Sequence, residues 1–200
     1  MGMFKLLPPA ESIRSESDAL AAVQSLSGAK ILAVDTETTG LSRTRDRAII
    51  LAISDGTRRL SVYPEAFPYF TDLIENPEIK LIFHNANFDQ WMLLNSGINV
   101  NRYLRRDHYR AYDTMVMHAL INDQAAHDLK SLTKRYLGIH MVPFSTTFGS
   151  QMRTRSLEEL LLDPVNEDVV CNYASLDAYA TYHLFIALRE ELLREEALAP

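Results

Sequence analysis

Three short stretches hold the residues of this chain that could do chemistry together. The first is Asp35-Thr36-Glu37. Alternate residues of a strand point to one side, about 7 Å apart, so Asp35 and Glu37 can offer two carboxylates to a hard divalent cation from one face. The second is His84-Asn85-Ala86-Asn87-Phe88-Asp89, which ends on a further carboxylate. The third is Tyr173-x-x-x-Asp177, whose i, i+4 spacing stacks phenol and carboxylate on one helical face. Each stretch alone has an ordinary explanation: a solvated turn, an acid favourable near a helix N-terminus, a packed tyrosine beside a surface charge. Two details argue against it. Asp35 follows the apolar run Ile31 to Val34, and Asp177 shares its helical face with Val170, Tyr173, Ala180 and Leu184. Carboxylates are rarely left on apolar faces unless paired or metal-bound. Four carboxylates from three separated segments repel too strongly to converge without cations. Two divalent ions about 3.5–4 Å apart would relieve that repulsion and create a phosphoryl-transfer site.

Those stretches need a scaffold that brings them to one place. Residues 31–38 open with the β-branched apolar run of a buried strand. Residues 47–54 read as a second strand, Asp55-Gly56 as a hairpin turn and residues 58–64 as a third strand. A fourth strand at 80–85 runs into a helix at 86–95, which puts Asp89 in that helix's first turn. Further helices are expected at 17–26, with capping residues at its start, and at 67–75. Beyond Tyr112 the chain turns helical. Asp113-Thr114 opens one helix and His127-Asp128 another that ends at Gly138. A loop spans 142–149, a short helix 157–162, and a long helix 167–196 carries Tyr173 and Asp177. Three strands joined by short turns, then strand–helix alternation, imply an α/β fold: a mixed sheet, three antiparallel strands followed by parallel ones, flanked by helices. With no linker or repeat in view, residues 1–29 are read as an N-terminal segment of the same domain as residues 30–200.

Composition sets outer bounds. The chain has 200 residues, 47% hydrophobic and 23% charged, with 7 Gly and 8 Pro, which suits a full core and excludes a disordered or low-complexity chain. Its single cysteine rules out an internal disulfide framework and suggests a reducing compartment. No apolar run reaches membrane-spanning length and the N-terminus lacks a signal-peptide pattern, so a cytoplasmic protein with no membrane partner is expected. A formal charge of −6 argues, taken alone, against a nucleic-acid partner. Asp35, Glu37, Asp89 and Asp177 supply four of those charges, however, and two divalent cations would offset them.

In order along the chain, VDTET, HNANFD and YASLD resemble the three motifs of the DEDD, or DnaQ-like, 3′–5′ exonucleases, which have a ribonuclease H-like fold. Tyr173, four residues before the last Asp, marks the tyrosine subclass; the position that holds His in the other subclass is Asn172. Between the motifs, YDTMVMHALIND, HDLKSLTKRYLG and VPFSTTFG resemble the proofreading domain of family A (polymerase I-like) DNA polymerases. The resemblance implies two divalent cations, Mg2+ with Mn2+ as substitute. Asp35 would bridge both, Glu37 and Asp177 would complete the tighter site, and Asp89 would serve the second through waters. Tyr173 would orient the attacking water together with Glu37. The reaction implied is hydrolysis of the terminal phosphodiester of single-stranded DNA, releasing nucleoside 5′-monophosphates from its 3′ end. Thr38 and Leu41 match positions that hold the terminal nucleotide, Leu41 as an apolar wedge. Asn85 matches a substrate-contacting Asn and Phe144 a stacking aromatic. No polymerase region accompanies these motifs, so the chain reads as a stand-alone exonuclease, a subunit serving a separate DNA polymerase, or a fragment, from a bacterial or phage-infected cell.

Two other readings share these motifs. A ribonuclease D-like exoribonuclease has the same acids and the same tyrosine, and nothing in the sequence tests for a 2′-hydroxyl. A non-catalytic module that docks nucleic acid or a polymerase would be expected to have lost carboxylates, and all four are present. Remaining residues take plainer roles: Asp113 as a helix cap, Cys171 and Trp91 as packing residues, His84 without a catalytic part, and the six histidines without metal spacing. Arg43, Arg45 and Arg47, and the set Arg102, Arg105, Arg106 and Arg110, suit either phosphate contacts or solvated faces.

Overall fold

The computed structural model describes residues 7–102 and 111–198, so Arg105, Arg106 and Arg110 lie outside the described residues. The apolar runs form one sheet of strands β1 (Ala10–Ile13), β2 (Ile31–Thr38), β3 (Ala48–Ser54), β4 (Arg59–Val62), β5 (Lys80–Phe83) and β6 (Ala111–Asp113), in the order β1-β4-β3-β2-β5-β6. The β2–β3 and β3–β4 pairs are antiparallel, while β1–β4, β2–β5 and β5–β6 are parallel. The expected mixed sheet is therefore present, with two edge strands added. Both escaped the sequence reading because AESI and AYD are short and carry no buried apolar run. The hairpin at Asp55-Gly56 forms as expected: the Asp55 carboxylate accepts from the backbone N–H groups of Thr57 and Arg58, both at 2.8 Å, and Gly56 takes φ +87°.

Helices α1 (Glu16–Leu26), α2 (Phe67–Glu75) and α3 (Ala86–Asn95) cover one face of the sheet. There Leu32, Val34, Leu51, Ile53 and Phe83 pack against Ala19, Ala22, Leu26, Phe70, Ile74 and Met92. The buried side of α1 is Ala19, Ala22 and Leu26, and Leu20 is exposed. Trp91 is a correction to the sequence reading: at 42% relative exposure it stands on the outer side of α3, and Met92 and Leu93 take the core.

The second face carries α4 (Thr114–Ile121), α5 (Leu129–Leu137), α6 (Phe144–Phe148), α7 (Leu157–Leu161) and the long α8 (Glu167–Leu198). Ile50, Ala52 and Tyr63 of the sheet side pack with Phe148, Leu160, Val170, Ala174 and Ala178. Farther along, Leu129 and Leu132 of α5 pack with Ala180, Leu184 and Leu188 of α8. Capping follows the sequence signals. Asp113, Asp128 and Ser156 accept hydrogen bonds from backbone N–H groups in the first turns of α4, α5 and α7, and Gly138 closes α5 at φ +68°. The segment 142–149, expected as a loop, instead contains α6, which starts directly after Pro143; a proline there supplies a preset φ at no loss of a helical hydrogen bond.

Candidate active site

Pleating decides where the first two carboxylates point. Asp35 pairs with Ala52 and Glu37 with Ile50 across β2–β3, and Ile50 and Ala52 belong to the core under α8. Asp35 and Glu37 therefore face α8, while Thr36 between them faces α3. The β2–β3 register slips between Glu37 and Thr38, a bulge at the point where the strand leaves the sheet. On α8, the i, i+4 pair Tyr173 and Asp177 faces the same layer. Oxygens of Asp35, Glu37 and Asp177 all lie within 4.8 Å of one another, the one group of three or more metal-capable side chains among the described residues.

The fourth carboxylate arrives from the other side. Asn85 takes the left-handed φ of +76° at the start of α3, and the helix then delivers Asp89, buried, to Thr36 Oγ1, which donates to Asp89 Oδ1 at 2.7 Å. Asp89 lies outside the three-carboxylate group, yet its charge is felt at Asp35 and Glu37.

Electrostatics show a site built for positive charge. Burial, first, and the neighbouring carboxylates push Asp35 well above its usual range. The same causes raise Glu37 to about 8. Burial raises Asp177 and Asp89 to about 7 each, the latter opposed by the Thr36 hydroxyl. Asp177 Oδ1 is shut off from solvent without a hydrogen-bond partner. Buried carboxylate oxygens left unpaired and facing one another are unfavourable, and a divalent cation fits the vacancy in their bonding. Tyr173 is pushed above its usual range by burial and then by Asp177, Glu37 and Asp35.

Of the expected substrate residues, Phe144 meets Tyr173 directly. Thr38 is buried and donates to the Gly40 carbonyl at 2.7 Å. Leu41 follows at 83% exposure, on a loop held by Asp46, which accepts from Thr39 Oγ1 and from the Ser42 N–H. Asn85 is exposed. Phe144 stands edge-on to Tyr173, ring centroids 5.4 Å apart, with Phe148 behind both. Of the arginines, Arg47 pairs with Glu158 and Arg102 with Glu75, whereas Arg43 and Arg45 are exposed.

Sequence reasoning missed three contributors. Lys130, at the start of α5, donates to Tyr173 Oη at 3.0 Å, 43 residues away in sequence. Thr36 was passed over as a spacer between two acids. Asp113 caps α4 as expected, but it also accepts from the Asn85 and Ala86 N–H groups at 3.1 and 2.8 Å, so it holds the turn that launches α3. Only an unusual Thr between the acids could have hinted at any of these.

Comparison with known proteins places the chain in a family. Residues 10–193 match the model of a family described as 3′-5′ exonuclease, that of the family A DNA polymerases. The chain is 30% identical over 177 residues to DNA polymerase DpoZ of Acinetobacter phage SH-Ab 15497, covering 82% of this chain and 27% of that protein. It is 25% identical over 193 residues to DNA polymerase I of Pseudomonas aeruginosa, covering 88% of this chain and 20% of that protein. The chain thus spans about a quarter of the length of these curated relatives. Among solved structures, Brucella melitensis NrnC superposes with a TM-score of 0.65 at 23% identity, covering 84% of this chain and 76% of that one. Escherichia coli RNase D superposes with a TM-score of 0.64 at 17% identity, covering 90% and 45%. Those likenesses establish the ribonuclease H-like fold of the DEDD exonucleases. The chain belongs to the 3′–5′ exonuclease family of polymerase I-like proteins.

Proposed function

We propose that this 3′–5′ exonuclease domain removes nucleotides one at a time from the 3′ end of single-stranded DNA, releasing nucleoside 5′-monophosphates, with two divalent cations held by Asp35, Glu37, Asp89 and Asp177. The observation that carries the proposal is the convergence of Asp35, Glu37 and Asp177 oxygens within 4.8 Å beside the Tyr173 phenol. Cations held there would acidify the attacking water and neutralise charge on the reacting phosphate. Asp35, whose carboxyl feels the charge of both Asp89 and Asp177, would bridge the two ions. The Tyr173 hydroxyl would orient the water. Phe144 offers its ring to an unstacked base, and exposed Leu41 offers an apolar edge to the terminal one. Residues 30–200 carry all of these groups. NrnC has been solved with Mg2+ and with pGG bound, which supports the cation and the nucleotide ligand.

DNA is favoured because the sequence relatives are DNA polymerases, and a proofreading partnership with a polymerase follows from the same likeness. RNA is the second reading, supported by the shared fold of RNase D, an exoribonuclease. The test is a 5′-labelled single-stranded DNA and a matching RNA, each incubated with Mg2+ or Mn2+. A metal-dependent ladder on DNA that Asp35→Ala abolishes is expected. A ladder on RNA alone would transfer the assignment, and no ladder on either would end it.

A further inference from the structure

We propose that Lys130 is a positioning residue for Tyr173, which fixes the phenol as a hydrogen-bond donor toward the acidic site. Resting on the exonuclease reading above, the inference assigns a direction to the proton that Tyr173 carries.

A lysine ammonium has three donors and no acceptor, whereas a phenol oxygen can accept and has one proton to give. Lys130 Nζ lies 3.0 Å from Tyr173 Oη, so in this contact the phenol oxygen must accept. With Lys130 donating to its oxygen, the phenol's single proton points elsewhere, and the charges felt there are the carboxylates of Asp177, Glu37 and Asp35. A phenol so polarised donates to an oxygen, of the water or of the phosphate.

The packing makes this pairing durable. Lys130 follows Asp128, the cap of α5, and lies between Leu129 and Leu132, both buried against α8. The ammonium also sits 5.3 Å from the Tyr173 ring centroid, and the far side of the ring is closed by Phe144 and Phe148. Lys130 is the cation whose charge is felt at Asp35, Glu37 and Asp177, so it also moderates their repulsion.

The test compares Lys130→Met, Lys130→Arg, Tyr173→Phe and the Lys130→Met/Tyr173→Phe double variant. Lys130→Met is expected to lower kcat by about 10- to 100-fold, the scale of one hydrogen bond to a charged group, with KM nearly unchanged. Lys130→Arg restores a donor and recovers most of the rate. If Lys130 acts through Tyr173, the double variant is no slower than Tyr173→Phe alone. Losses that multiply, or an unaffected Lys130→Met, overturn the proposal. Mn2+ calorimetry separates a collapsed site: Lys130→Met is expected to bind Mn2+ as tightly as the parent or more so, and weaker binding counts against a positioning role. Fluorotyrosine-labelled protein gives a readout that needs no turnover. The fluorine signal lost in Tyr173→Phe should shift in Lys130→Met and return in Lys130→Arg; a signal that ignores Lys130 overturns the proposal. A parent protein that cuts neither nucleic acid ends the nuclease reading instead, and the fluorine comparison still decides the Lys130 contact.

Discussion

The Thr36 hydroxyl donates to Asp89 Oδ1 at 2.7 Å, and both residues are buried. Thr36 lies between Asp35 and Glu37 on the strand but faces the opposite side of the sheet. One tripeptide therefore supplies two carboxylates to α8 and a tether to α3, so the second motif is registered against the first. Thr36→Val keeps the shape and deletes the donor. The Asp89 carboxyl, raised to about 7 by burial and held down by the Thr36 hydroxyl, would rise further. The acid limb of the pH–rate profile is expected to move up by about one pH unit. Activity lost at neutral pH should then return at alkaline pH. A uniform loss at every pH would show that Thr36 acts on position alone.

Stability of the metal-free protein should run against pH in an unusual direction. Glu37 at about 8, Asp89 and Asp177 at about 7, and Asp35 are all raised above their ordinary carboxylate values, chiefly by burial. In the folded state these groups keep protons that the unfolded chain has already released. Their contribution is complete below the ordinary carboxylate range and is lost as pH climbs through those folded values. With a chelator present, the melting temperature should fall from mildly acid to mildly alkaline pH. Mg2+ should remove most of that fall, because the cation binds the ionised form. Asp177→Asn should flatten the slope without metal. A metal-free melting temperature that rises over the same range would refute the electrostatic account.

Asp35 and Asp177 were legible in sequence because each sits where local pattern and chemistry conflict, one at the end of an apolar strand and the other on an apolar helical face. The strands and helices around them carry the periods that identify such elements. Lys130 carried no such conflict. A lysine in the first turn of a polar helix is unremarkable, and its meaning comes from α5 packing on α8, a contact between segments 43 residues apart. Trp91 failed for a related reason. Its helix offers two apolar sides, and which one meets the sheet depends on where Asn85 turns the chain.

That turn gives a last prediction. Asp113 Oδ1 accepts from the N–H groups of Met115 and Asn85, at 2.9 and 3.1 Å, and Oδ2 from that of Ala86 at 2.8 Å. One carboxylate therefore caps α4 and fixes the left-handed Asn85 that starts α3. Asp113→Ala removes all three hydrogen bonds and should destabilise the protein by about 2–4 kcal/mol, a lost cap plus two charge-assisted hydrogen bonds, read as a lower urea midpoint at unchanged slope. Asn85→Gly separates the backbone from the side chain. Glycine accepts φ +76° without strain, so stability should hold while the side chain proposed to meet substrate is gone. The expected outcome is a higher KM for the oligonucleotide with the urea midpoint nearly unmoved. An unchanged KM would remove Asn85 from the substrate contacts and leave Asp113 as a purely structural latch between the two helices.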